Sequence, residues 1–154
     1  MATQTPPPAA PAEGRTRKSF LRHLPTAARV LMGLAFFVFG LNGFLDFLPQ
    51  PSVTLPERAV AFAEALMKTG YMMPLMFGTQ LVVGALLLAN RFVPLALALI
   101  APFIVNSIAF HLFLEPSGRP MAAVVLILEV YLAWVYRKAY RPMLAMRVTP
   151  GRSE

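Results

Sequence analysis

The chain has 154 residues, 57% hydrophobic and 14% charged, with a mean hydropathy of +0.61. Soluble domains run nearer about 25% charged, so one integral membrane domain is expected, with no room for a second folded unit. The absence of cysteine excludes disulfides, thiolate metal sites and CxxC redox chemistry. The net charge of +7 does not point to nucleic acid, because the basic residues cluster beside apolar segments, the topology signal of a membrane protein.

Residues 1–14, MATQTPPPAAPAEG, are rich in Pro and Ala and lack periodicity. Residues 1–24 are expected to form a disordered, basic cytoplasmic tail. Its collar of Arg15, Arg17, Lys18 and Arg22 suits an anionic inner leaflet. The apolar run after the collar is too long for a cleaved signal peptide, and no small-residue cleavage site closes it.

A first helix is expected from Pro25 to Leu48, with its span over 27–48. Arg29 would snorkel to the inner interface. Helical phase puts Arg29, Gly33, Gly40 and Gly43 on one side, where small residues let another helix approach. Asn42 and Asp46, four apart, share a different face. PQPSV is an exit turn, and Thr54-Leu55-Pro56-Glu57 has capping-box spacing. Over 55–69 the apolar residues Ala59, Val60, Phe62, Ala63, Leu66 and Met67 oppose Glu57, Arg58, Glu64 and Lys68. That pattern is a short extracytoplasmic amphipathic helix, lying on the interface or over the bundle mouth and closed by Gly70.

The second span is expected over 71–89, with the stripe Met73, Met76, Phe77, Gln80, Gly84 and Leu87. Asn90-Arg91 is a very short turn, which makes the second and third spans antiparallel neighbours. The third span, 93–114, is almost wholly apolar yet carries Pro102, Asn106, Ser107 and His111. A kink is expected at Pro102. After the turn Glu115 to Pro120 comes the fourth span, 120–137, with Glu129 at its middle. A basic cytoplasmic tail follows over 141–154. Arginine and lysine placement puts both termini and Arg91 inside, and the 49–70 and 115–120 loops outside. The expected fold is an all-α membrane protein, a four-transmembrane-helix bundle.

On this topology Asn42, Asp46, Asn106, Ser107 and His111 fall in the outer half, with Gln80 and Glu129 near the midplane. Polar groups are costly in lipid, so together they are read as a candidate polar pocket. Such a pocket suits a polar-headed lipophilic ligand such as a quinone. In it His111 and Asp46 would form a proton-exchanging pair, and Glu129 would relay a proton or lock the bundle. Against that stands the plainer reading that these side chains only bind helices to one another. Glu115 is read as an interfacial charge at a helix end. His23 is far from His111, which argues against a haem between them, and no metalloprotease, phosphate-loop, flavin or nucleophile-elbow motif occurs.

The segments FGLNGFLDFLP, TGYMMPL, GALLLANRFVPLAL, APFIVNSIAFHLFLEP and LILEVYLAWVYRKAY together resemble the DoxX family of small bacterial membrane proteins. The resemblance covers 27–140 and rests on the whole pattern. It implies a four-helix protein of the bacterial inner membrane, linked in some members to quinone-dependent membrane oxidoreductases, and it carries over no agreed catalytic set. The leading expectation is a non-catalytic or quinone-contacting subunit of a membrane redox system, with the bilayer, an oxidoreductase subunit or a second copy as partner. A small-molecule or proton-coupled carrier using Asp46, His111 and Glu129 is the second reading, and a membrane scaffold or assembly factor the third.

Overall fold

The computed structural model describes residues 13–49 and 54–143. The tail over 1–12, part of the exit turn and residues 144–154 lie outside the described residues. Among those described the structure is all helical: α1 (Glu13–Leu45), α2 (Glu57–Lys68), α3 (Met72–Leu88), α4 (Val93–Phe113), a 3-10 turn (Pro116–Gly118), α5 (Arg119–Val135) and α6 (Arg137–Tyr140).

Three stretches are long and apolar enough to cross a hydrocarbon core: Arg22–Leu45, Val93–Phe113 and Pro116–Val135. The 17 residues of α3 give a rod of roughly 26 Å, and α3 joins α2 at a sharp bend of 91°. The bundle is apolar on its outside as well as its inside. Val105 is 66% exposed and Ile127 65%, with Leu31, Leu95 and Val130 also exposed. A helix set apolar all round is suited to lipid rather than water.

The α1 helix begins at Glu13, upstream of the expected start at Pro25, so residues 13–24 are helical where disorder was expected. Pro25 leaves the Leu21 carbonyl without its intrahelical donor, a local penalty of about 3 kcal/mol. The helix-forming Arg, Lys and Leu residues before it favour continuation. At its other end α1 stops at Leu45, not Leu48, because Asp46 turns left-handed at φ 46°. The Leu48 amide then donates to Asn42 Oδ1 at 2.7 Å.

The expected capping box at Thr54 does not form. Pro56 occupies the N-cap of α2 with no side-chain cap, and a proline there drives Leu55 into extended backbone. Ala59, Phe62, Ala63 and Leu66 turn toward the bundle, whereas Val60 and Met67 of the predicted arc are exposed. Phe62 packs on Phe110 of α4 with ring centroids 5.7 Å apart. Gly70 makes the bend into α3 at φ 75°, a conformation that suits glycine. The Thr69 hydroxyl accepts from the Met72 amide at 3.1 Å and so opens α3.

The α1 and α3 helices lie antiparallel and close. Gly33 faces Leu87 and Leu88, Gly40 faces Leu81, and Gly43 faces Phe77, so the predicted glycine face meets α3. Asn90 at φ 54° and Phe92 at φ 50° make the tight turn into α4. That helix continues through Pro102. The Tyr140 hydroxyl donates to the Pro94 carbonyl at 2.9 Å, tying α6 to the first turn of α4. The fourth span ends earlier than expected, at Val135, where Tyr136 leaves helical geometry at φ −90°, ψ 8°. Met32, Phe36, Val83, Leu87, Leu97, Ile100, Ile104 and Leu132 form the buried core.

With alternating helix directions, Arg29, Arg91, Arg137 and Lys138 gather at one end of the bundle. Asp46, α2 and the 115–118 turn lie at the other. Arg29 is not a head-group anchor: it is 8% exposed. Its guanidinium donates to the carbonyls of Leu87 and Leu88, the latter at 3.4 Å. It thereby satisfies orphan groups at the C-terminus of α3, where a cation is also favoured by the helix dipole.

Candidate functional site

A cavity of about 810 Å³ lies in the half of the bundle away from the arginine-rich end. All five long elements contribute to it: Phe36, Phe39, Asn42 and Gly43 from α1, Met67 from α2, Met73, Phe77 and Gln80 from α3, Phe103, Ile104, Ser107 and His111 from α4, and Met121, Ala122 and Val125 from α5. Asp46, just beyond α1, completes the lining. Phe36 and Phe103 meet edge to face, with centroids 6.1 Å apart. Aromatic and Met walls carrying a few polar groups are the usual make-up of a small-molecule site.

Five of the seven predicted residues converge here: Asn42, Asp46, Gln80, Ser107 and His111. The helical phase responsible is visible in α4, where Phe103, Ser107 and His111 are successive i,i+4 positions. Gln80 is 5% exposed overall and lines the cavity, where its amide offers both a donor and an acceptor.

Two predicted residues are elsewhere. Asn106 is exposed and lines a shallow depression with Met72, Leu75, Met76 and Thr79. It lies one residue from Ser107, about 100° around the helix, and so leaves the cavity face. Glu129 lies one turn beyond Val125, nearer the basic end than the expected midpoint. It lines a separate depression with Ala98, Ala101, Ala133, Arg137 and Tyr140. Its Oε2 is buried without a hydrogen-bond partner. Burial and the neighbouring Glu129 charge push the Tyr140 phenol up.

The histidine's nearest acid is Glu115, not the expected Asp46. His111 Nδ1 lies 2.9 Å from Glu115 Oε2 and 3.0 Å from the Glu115 carbonyl oxygen. Glu115 sits at a helix end and is turned into the protein, 6% exposed. Oε1 accepts from the Ser117 hydroxyl and, at 2.9 Å, from the Ser117 amide. Oε2 accepts from the Gly118 amide at 2.9 Å. The Ser117 hydroxyl bond chiefly holds the Glu115 carboxyl below its ordinary value; burial opposes it, and the amides and His111 add to the lowering. Two signals for this cluster were present in the sequence, the i,i+4 spacing of His111 and Glu115 and the acid-Pro-Ser-Gly order of an N-capped turn. Arg119 closes the cluster by donating to the carbonyls of His111 at 3.1 Å and Leu112 at 2.9 Å.

Among the described residues no three His, Asp or Glu side chains converge to hold a metal ion. No protein-family model, no curated protein and no solved structure matches the chain.

Proposed function

We propose that the chain is a DoxX-like, four-span protein of the bacterial inner membrane that holds the head group of a quinone as a subunit of a membrane redox system. Both termini and the arginine-rich end face the cytoplasm, and α2 lies flat over the outer mouth of the bundle. The gathering of Arg29, Arg91, Arg137 and Lys138 at one end supports that orientation. The second helix in the pair bent by 91° supplies the fourth span.

The observation that carries the ligand reading is the cavity of about 810 Å³ whose polar groups are the amides of Asn42 and Gln80, the Asp46 carboxyl, the Ser107 hydroxyl and the His111 imidazole. Its volume falls in the usual range for drug-sized ligands. Amide and hydroxyl donors suit the two carbonyl oxygens of a quinone ring. The apolar walls suit the ring and the start of an isoprenoid tail. The tail reaches lipid without crossing water, which fits a site inside a bundle. The oxidoreductase partner supplies the electron chemistry, and this chain binds and orients. A relay through Glu129 has less support, since its depression shares no lining residue with the cavity.

The test is a titration of the full chain in lipid nanodiscs with a short-chain ubiquinone. Saturable binding is expected, weakened at least about tenfold by Gln80→Leu, which removes a buried donor and acceptor together. Binding that is non-saturable, or unchanged by Gln80→Leu and by a bulky Ser107→Leu, would leave the scaffold reading in its place.

A further inference from the structure

The geometry points to Glu115 as a positioning residue that fixes His111 with its proton on Nδ1, so that the cavity prefers the reduced hydroquinone to the quinone. This deepens the quinone reading and rests on it for the identity of the ligand.

Nδ1 of His111 faces two oxygens at once, the Glu115 carbonyl at 3.0 Å and Glu115 Oε2 at 2.9 Å. A backbone carbonyl only accepts. The carboxylate already receives the Ser117 hydroxyl and the amides of Ser117 and Gly118. Three donors aimed at one carboxyl favour its ionised form, which also only accepts. An unprotonated Nδ1 would set a lone pair against two others. The proton therefore resides on Nδ1, shared between the two oxygens.

A neutral imidazole protonated at Nδ1 has one acceptor left, Nε2. The backbone at Gly118 packs against the Nδ1–Cε1 edge of the ring: a Cβ there would collide with both atoms. That edge is committed to the turn; His111 also lines the cavity, and Nε2 is the ring nitrogen left to serve it. An acceptor in that position has nothing to offer a quinone carbonyl, which is also an acceptor. It matches the hydroxyl of a hydroquinone. The Gln80 and Asn42 amides and the Ser107 hydroxyl suit either oxidation state, and the Asp46 carboxyl on the same wall is common to the unaltered chain and to Glu115→Gln, so the change between those two reads His111.

The packing also explains why the ring holds still. Phe110 meets it edge to face at 5.2 Å, and Arg119 fastens the last carbonyls of α4 across the same turn. Restricting the ring to one orientation makes the tautomer a fixed property of the site rather than a response to ligand.

The experiment uses the full chain in lipid, labelled with ¹⁵N histidine. His23 is the only other histidine, and His23→Gln removes its signal. Neutral His111 is expected as the Nδ1-protonated tautomer without any ligand present. Glu115→Gln, whose amide can donate to Nδ1, is expected to move it toward the Nε2-protonated form. In parallel, short-chain ubiquinol is expected to bind about five- to tenfold more tightly than the matching ubiquinone, the effect of one added hydrogen bond. Glu115→Gln is expected to reduce that preference from both sides, weakening ubiquinol binding and strengthening ubiquinone binding, because a protonated Nε2 donates to a carbonyl and no longer accepts from a hydroxyl.

An Nε2-protonated His111 in the unaltered chain overturns the inference, and that measurement does not depend on any variant folding. A ubiquinol preference of the same size in Glu115→Gln also overturns it. Failure of both oxidation states to bind, with the tautomer as expected, refutes the ligand assignment and leaves only the Glu115–His111 arrangement.

Discussion

Gly40 of α1 faces the backbone of Leu81 of α3 so closely that a Cβ at Gly40 would lie 2.5 Å from the Leu81 amide nitrogen and 2.9 Å from its Cα. Gly84 repeats the relationship in the other direction, against the Phe37 backbone. Where a bundle sits in lipid, association rests on such close contacts, because apolar surface alone gives no preference for protein over lipid tails. Backbone is what each glycine meets, so neither side can yield by rotating a side chain.

Gly40→Ala is therefore expected to destabilise the fold by about 1–3 kcal/mol, and Gly40→Leu by more. Gly78, beside which a Cβ would meet nothing within 4 Å, is the control. Gly78→Ala is expected to be neutral or slightly stabilising. Chemical denaturation in detergent micelles, followed by helical circular dichroism, checks both.

Arg29 supplies a different kind of fastening. Its buried guanidinium serves the Leu87 and Leu88 carbonyls. Arg29→Met, which keeps the stem and removes the donors, is expected to cost about 1–3 kcal/mol. Arg29→Lys is expected to recover only part, because one ammonium does not reproduce the planar fork. The same unfolding measurement separates the two variants.

Glu115 gives the fold an acid dependence with a definite sign. Its folded carboxyl is held below the ordinary value of 4.5, first by the Ser117 hydroxyl and then by the amides and His111, against burial. A depressed folded value means that the stabilisation is present above the unfolded value and is lost as pH falls through the folded one. Unfolding midpoints of the unaltered chain are expected to drop on acidification below about pH 4.5. Ser117→Ala, lacking the leading donor, is expected to show a shallower drop. A profile identical in the two would contradict this role for the hydroxyl.

Glu129 leaves Oε2 buried with no partner. An unsatisfied buried polar atom costs about 1–3 kcal/mol. Glu129→Met is expected to be neutral or stabilising in the isolated chain, as replacement of a buried charge by an apolar side chain of similar size often is. If the same change weakens association with an oxidoreductase partner in a pull-down from native membranes, the carboxyl is held for that contact.

The all-helical, strongly apolar character was legible in the composition, and the close pairing of α1 with α3 in the periodicity. The glycines at 33, 40 and 43 share a face in any α-helix, and that face meets α3. Ser107 and His111 share a face of α4 by phase, as Met73, Phe77 and Gln80 do on α3, and packing of the two helices turns both faces to the cavity. Phase did not reveal what happens at helix ends. Glu115 reads as an interfacial charge at a helix end, and the sequence does not show that the turn folds back over it and supplies the Ser117 and Gly118 amides to its carboxylate. Depth was also a poor guide to company: Asn106 and Ser107 share a depth but sit about 100° apart around the helix, so only Ser107 lines the cavity.

The most direct test of the quinone reading is mass spectrometry of the full chain purified gently from native membranes with its lipids retained. The account predicts bound quinone or quinol approaching one per chain, falling at least about tenfold in His111→Ala through loss of the polar contact and the ring's packing. Lipids retained but no quinone in the unaltered protein, or equal amounts in His111→Ala, would contradict it.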